Sequence, residues 1–145
     1  MASGNMRNAH SVGERGGQKV GEKKITKKEF QVFEKEARKW ADLYGLTDWD
    51  IQYRKTTFDD DKALATTDWE KDTFVAYIRL RDNTDENHIV DTPTLKEGGR
   101  HEIDHVLFGE ITDMLYEFYS EDIAVRAIHR VIYRLENMRK KLGIV

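Results

Sequence analysis

GGRHEIDHVLFGE, residues 98–110, places two histidines four residues apart with a glutamate directly after the first. On a helix, side chains at i and i+4 lie on one face about 5–6 Å apart, so His101 and His105 can turn their ring nitrogens towards one ion. Glu102 sits one position further round, beside that ion and not on it. This is the H-E-x-x-H arrangement. In such a site two imidazoles ligate zinc, water takes an open position, and the glutamate accepts the water's proton; the plainer alternative is two exposed or hydrogen-bonded imidazoles. Ile103, Val106 and Leu107 point to another side, so the core stripe and the histidine face are distinct. Gly98 and Gly99 have two readings: something approaches the backbone closely there, or the helix starts later, near Arg100.

The rest of the chain limits what such a site can be. The 145 residues contain no cysteine, which removes disulfides and thiolate zinc sites and leaves histidine and carboxylate as the strong ligands. No run approaches the ~18 apolar residues of a membrane span, and the first residues lack the apolar segment of a secretory signal. A cytoplasmic protein is expected.

Working outward towards the N-terminus, residues 1–24 hold five of the ten glycines and no hydrophobic period, which reads as a disordered basic tail ahead of one domain, 25–145. Through Lys28 there are seven Lys or Arg against two Glu, +5; the remainder has 17 against 25, −8. That asymmetry is the only hint of an anionic partner such as nucleic acid. A solubilising tail is the plainer reading, because the tail carries no aromatic residue to stack on bases.

From Thr26 the pattern turns helical, with Phe30, Phe33, Ala37, Trp40 and Ala41 in register, a Thr26/Glu29 capping box, and Gly45 to close the end. WDIQYRK (49–55), the weaker ALATTDWE (63–70) and TFVAYIRLR (73–81) read as strands of an antiparallel meander. A polar loop follows over 82–93. Thr94 and Glu97 make a second possible capping box, and the last helix runs from about Ser120 to Lys141.

A catalytic zinc needs a third protein ligand. The metzincin continuation is excluded, because Phe108 and Ile111 stand where glycine and histidine are required. Glu121 falls on the core side of the last helix with Ala124, Val125 and Ile128. Asp122 aligns instead with the polar edge of Arg126 and His129 and is the weaker choice. Either acid can also be a first-turn residue favoured by the helix dipole. An unbroken helix to Tyr119 would carry Glu121 about 21 Å from His105, so this reading requires a break, with Gly109 as a left-handed cap. Without the break, His129 or Tyr133 becomes the better candidate.

With these residues, the chain resembles small gluzincin-like zincins, as found in SprT-like and ImmA/IrrE-like proteins and in short phage-encoded metallopeptidases. The likeness covers about residues 27–142 and rests on HEIDHVLFGEITDML followed by EDIAVRAIHRVIYRL. It implies an α+β minimal zincin fold: an N-terminal helix, a small antiparallel three-stranded sheet whose edge can pair with an extended substrate, the H-E-x-x-H helix and a C-terminal helix. It also implies peptide-bond hydrolysis, with zinc held by His101, His105 and Glu121 and with Glu102 as general base. The chain departs from that pattern in having Asp after Glu121 and no proline after Gly109.

The competing expectation is a zincin-fold binding or regulatory protein whose basic tail engages nucleic acid or a protein partner. Tyr116, Tyr119, His129 and Tyr133 are the candidate oxyanion donors. His10 and His88 have no partner pattern. Asp82, Asp85 and Glu86 lack the glycine and terminal glutamate of a calcium loop.

Overall fold

The computed structural model describes residues 22–58, 63–70 and 72–144. Along the chain come β1 (Lys23–Lys24), α1 (Lys27–Leu43), β2 (Asp50–Thr56), β3 (Ala65–Glu70), β4 (Val75–Arg81), β5 (Asn83–Thr84), α2 (Thr92–Leu107), α3 (Gly109–Phe118) and α4 (Glu121–Lys141). The fold class is α+β. The mobile-tail reading of residues 1–21 lies outside the described residues. At its inner boundary that reading is corrected, because Lys23 and Lys24 pair antiparallel with Thr84 and Asn83.

Local signals set the helix ends. Thr26 accepts from the Glu29 amide while the Glu29 carboxylate accepts from the Thr26 amide, a complete capping box. Gly45, at φ +68°, turns the chain out of α1. The start of α2 differs from the expected Thr94 box. Asp91 is the cap, accepting from the Thr94 amide at 2.8 Å, and Pro93 occupies the first turn, where its missing N–H costs nothing.

The three main strands form where expected, but their order is β2-β4-β3, with β2 parallel to β4 and β3 antiparallel to it. The expected antiparallel meander is therefore corrected to a mixed sheet. The reason lies in burial: Ala76, Ile78 and Leu80 of β4 are fully buried, so the most apolar strand takes the centre. The more polar β3 takes an edge. These three residues meet Phe33, Ala37 and Trp40 of α1 and Ile103 and Val106 of α2 in one core.

The α1–α2 contact answers the question about the glycines. Both lie inside α2. A Cβ on Gly99 would stand 2.6 Å from the Phe33 carbonyl oxygen and 3.3 Å from the Ala37 amide, whereas one on Gly98 would meet only the Phe33 ring at 3.6 Å. Gly99 is thus where two helix backbones touch, and neither can yield without separating the helices. Gly99→Ala is expected to lower stability by about 1–3 kcal/mol through overpacking. Gly98→Ala should be neutral or gain up to ~1 kcal/mol of helix propensity. Urea midpoints of the two variants check this, and a Gly99→Ala protein as stable as the parent would contradict it.

Beyond Leu107 the chain does break, though not by the expected left-handed glycine. Phe108 ends α2 at φ −96°, ψ 7°, and its carbonyl accepts from both the amide and the hydroxyl of Thr112. Gly109 opens α3 with an ordinary helical backbone. It is small because a Cβ there would come within 3.3 Å of Trp49 and 3.6 Å of Trp69. A second break at Tyr119–Ser120 sends α4 back across α2.

Candidate metal centre

The face of α2 opposite the core looks into a cleft of about 680 Å³, walled by β3 on one side and by α3 and α4 on the other. His101 and His105 project into it from consecutive turns of α2, as their spacing predicts, with Nε2 atoms 3.2 Å apart. Two nitrogens bound tetrahedrally to one zinc at 2.0–2.1 Å would stand about 3.3 Å apart. The third group is His129 of α4. Among the described residues, the ligand atoms of His101, His105 and His129 converge within 4.8 Å of one another.

Two of the three rings have a partner on the outer nitrogen. Nδ1 of His101 lies 2.7 Å from the Glu136 carboxylate, and Nδ1 of His129 lies 3.1 Å from the Val125 carbonyl one turn back on its own helix. Those bonds place the proton on Nδ1 and leave Nε2 as the ligating atom, the usual second layer around a metal-binding imidazole. The residues present fit a divalent ion of the zinc type: three nitrogen donors and space beyond them in the cleft for a fourth position.

For two of the three rings the charge state favours ligation. Burial, together with the neighbouring His101 and His129, pushes the His105 imidazole down to about 3, so it stays neutral and free to ligate. Burial and the proximity of His101 also lower His129. Burial pulls His101 down as well, but Glu136 and nearby carboxylates outweigh it and hold this ring above its ordinary value. Protons therefore compete with a metal mainly at His101, and the competition strengthens as pH falls.

Glu102 is buried on the same cleft wall. Burial pushes its carboxyl up, opposed by the Thr67 hydroxyl, which donates to Oε2 at 2.5 Å, and by His101. Thr67 is in the middle of β3, so the edge strand and the H-E-x-x-H helix are joined at the group that would handle protons.

The expected third ligand, Glu121, is not in the converging group among the described residues. Glu121 is exposed at the rim of the cleft, in the first turn of α4. Eight residues separate it from His129, about 12 Å along the helix axis, so the two cannot share an ion. Asp122 is still further out, with a side chain 93% exposed and 4.0 Å from Arg126. The sequence reading places a separate segment between Gly109 and a last helix from about Ser120, but not the level at which that helix passes the site. The chain breaks twice, which carries the start of α4 past the site and delivers its third turn to it.

Other sequence candidates divide cleanly. Tyr133 and Tyr116 line the cleft, and the Tyr133 ring centroid is 6.1 Å from that of His101 and 6.0 Å from that of His129. Tyr119 is over half exposed and is not part of the wall. His88 pairs with Asp85 at 2.9 Å, away from the cleft, while Asp82 accepts from Thr57; His10 lies outside the described residues.

Sequence reasoning missed the layer behind the metal face. Asp104 is completely buried and takes a bidentate fork from Arg139 of α4 at 2.7 and 2.8 Å, while Tyr44 at the end of α1 donates to it at 2.6 Å. Burial pushes the Asp104 carboxyl up to about 7, and the guanidinium fork works against that by favouring the charged form.

No protein-family model, curated protein or solved structure matches the chain. The site thus stands on its own geometry: an α+β domain in which two helices bring three imidazoles and a buried carboxyl to one cleft. No helix among the described residues is long and apolar enough to cross a membrane.

Proposed function

We propose that the protein is a zinc-dependent peptidase of the cytoplasm, with His101, His105 and His129 holding the metal and Glu102 serving as general base. The observation that carries this reading is the convergence of three ligand nitrogens within 4.8 Å beside a buried carboxyl. Zinc held there would supply acidification of a water and polarisation of a carbonyl. Glu102 would take the proton of the attacking water and return it to the departing amine; its raised affinity for protons suits both halves of that task.

Substrate placement follows from the sheet. In the order β2-β4-β3, the strand nearest the site has a partner on one side only among the described residues, and Ala65 through Trp69 of that strand line the cleft. An extended peptide added to its open side would have main-chain partners and would run past Glu102.

The test is elemental analysis of the full chain purified without chelator or nickel resin. One zinc per chain is expected. His129→Ala should weaken zinc binding by more than the roughly 10–100-fold that loss of an outer hydrogen-bonding partner costs, while Glu121→Gln leaves it unchanged. A parent protein without stoichiometric metal would refute the zinc reading. Retention by His129→Ala together with loss by Glu121→Gln would refute the three-histidine assignment.

A further inference from the structure

We propose that Arg139 is a positioning residue for the metal centre: by its fork on Asp104 it sets the axial register of α4, so that His129 and Glu136 reach the two sides of the site. The proposal rests on the zinc reading above and assigns a task to residues outside the ligand set.

The apolar contacts of α4 leave that register to be set by something else. Its buried apolar residues are Ala124, Ile128 and Ile132, all in the first twelve positions, and none belongs to the core formed by α1, α2 and the sheet. In the remaining turns the buried residues are Glu136 and Arg139, both polar. Apolar packing is non-directional and tolerates small slides. A ligand set does not: one residue along a helix is 1.5 Å, whereas metal–ligand distances hold to within about 0.2 Å.

The Arg139 fork has the direction that packing lacks. Two parallel N–H donors meet both oxygens of Asp104, which lies between Glu102 and His105 on the very turns that carry the other ligands. Arg139 also donates to the Tyr44 hydroxyl, and its guanidinium lies 4.7 Å from the centre of the Trp40 ring, so α1 holds the fork from behind. His129, Glu136 and Arg139 are spaced by seven and three residues and lie along one side of α4, the side that faces α2. Fixing the last of the three therefore fixes the other two.

Arg139→Lys tests this, because it keeps the charge and the stem but loses the planar fork. Zinc affinity of the folded full chain is measured by chelator competition, with far-UV circular dichroism to verify folding and the visible spectrum of the cobalt(II)-loaded protein to report coordination geometry. The expected result is a 10–100-fold loss of zinc affinity, the range seen when a supporting partner of a ligand is removed, with an altered cobalt spectrum and a native dichroism spectrum. A purely structural role would lower stability and leave both metal readouts as in the parent. If Arg139→Lys does not fold, Tyr44→Phe, which removes one support of the fork and no charge, should still weaken zinc binding several-fold. Parent-like zinc affinity and cobalt spectrum in whichever of these variants folds would overturn the proposal. Failure of the parent itself to bind zinc would instead overturn the metal reading, and this proposal with it.

Discussion

Replacing Glu102 by Gln is expected to leave one zinc per chain in place while peptide hydrolysis falls by about 10²–10⁴-fold, the usual contribution of a positioned general base. The substitution is close to isosteric, and its carbonyl oxygen can still accept from the Thr67 hydroxyl that now donates to Oε2 at 2.5 Å. What the amide cannot do is take a proton from water. Since Glu102 is not among the three converging ligands, zinc content should be insensitive to the change. Cleavage would be followed by mass spectrometry of new termini in a diverse peptide pool, with parent and variant at equal zinc loading. Equal cleavage by the two would show that Glu102 is not the base. If the parent binds zinc but cleaves nothing, and a biological activity survives Glu102→Gln unchanged, the binding-protein reading gains the ground that the peptidase loses.

The contrast between Glu102 and Glu121 shows which parts of this molecule were legible in its sequence. Several features decided within one or two helical turns could be read, among them the Thr26–Glu29 box, the shared face of His101 and His105, and the place of Glu102 beside them, although the cap of α2 and the role of Gly109 were not. Features set by pairing across the chain could not. The antiparallel meander is the expectation for three strand-like stretches in succession, but the choice of neighbour followed the burial of β4, a property of the assembled core. His129 is 24 residues from His105, beyond two helix breaks, and its neighbours Ile128 and Ile132 look like an ordinary core stripe. A histidine at the seam of that stripe was the available signal. Asp104 gave none, because an acidic residue between two histidines reads as a solvated position until the partner 35 residues away is known.

That hidden pair supports the largest expected change in stability. Asp104→Ala removes both bonds of the Arg139 fork and leaves a guanidinium, 5% exposed, without its counter-ion. Breaking a buried pair from one side costs about 3–5 kcal/mol, a large share of the 5–15 kcal/mol that holds a typical domain together. The loss should appear as a lower urea midpoint with an unchanged slope in zinc-free protein, so that metal binding does not mask it. The double variant Asp104→Leu, Arg139→Met removes both charges and keeps apolar bulk. It should recover most of the loss, because burying the pair already carries a desolvation cost. It should not recover zinc affinity, since an apolar contact restores packing without restoring direction. A single Asp104→Ala variant that loses less than about 1 kcal/mol would mean that solvent reaches Arg139 and that the pair is worth no more than a surface ion pair.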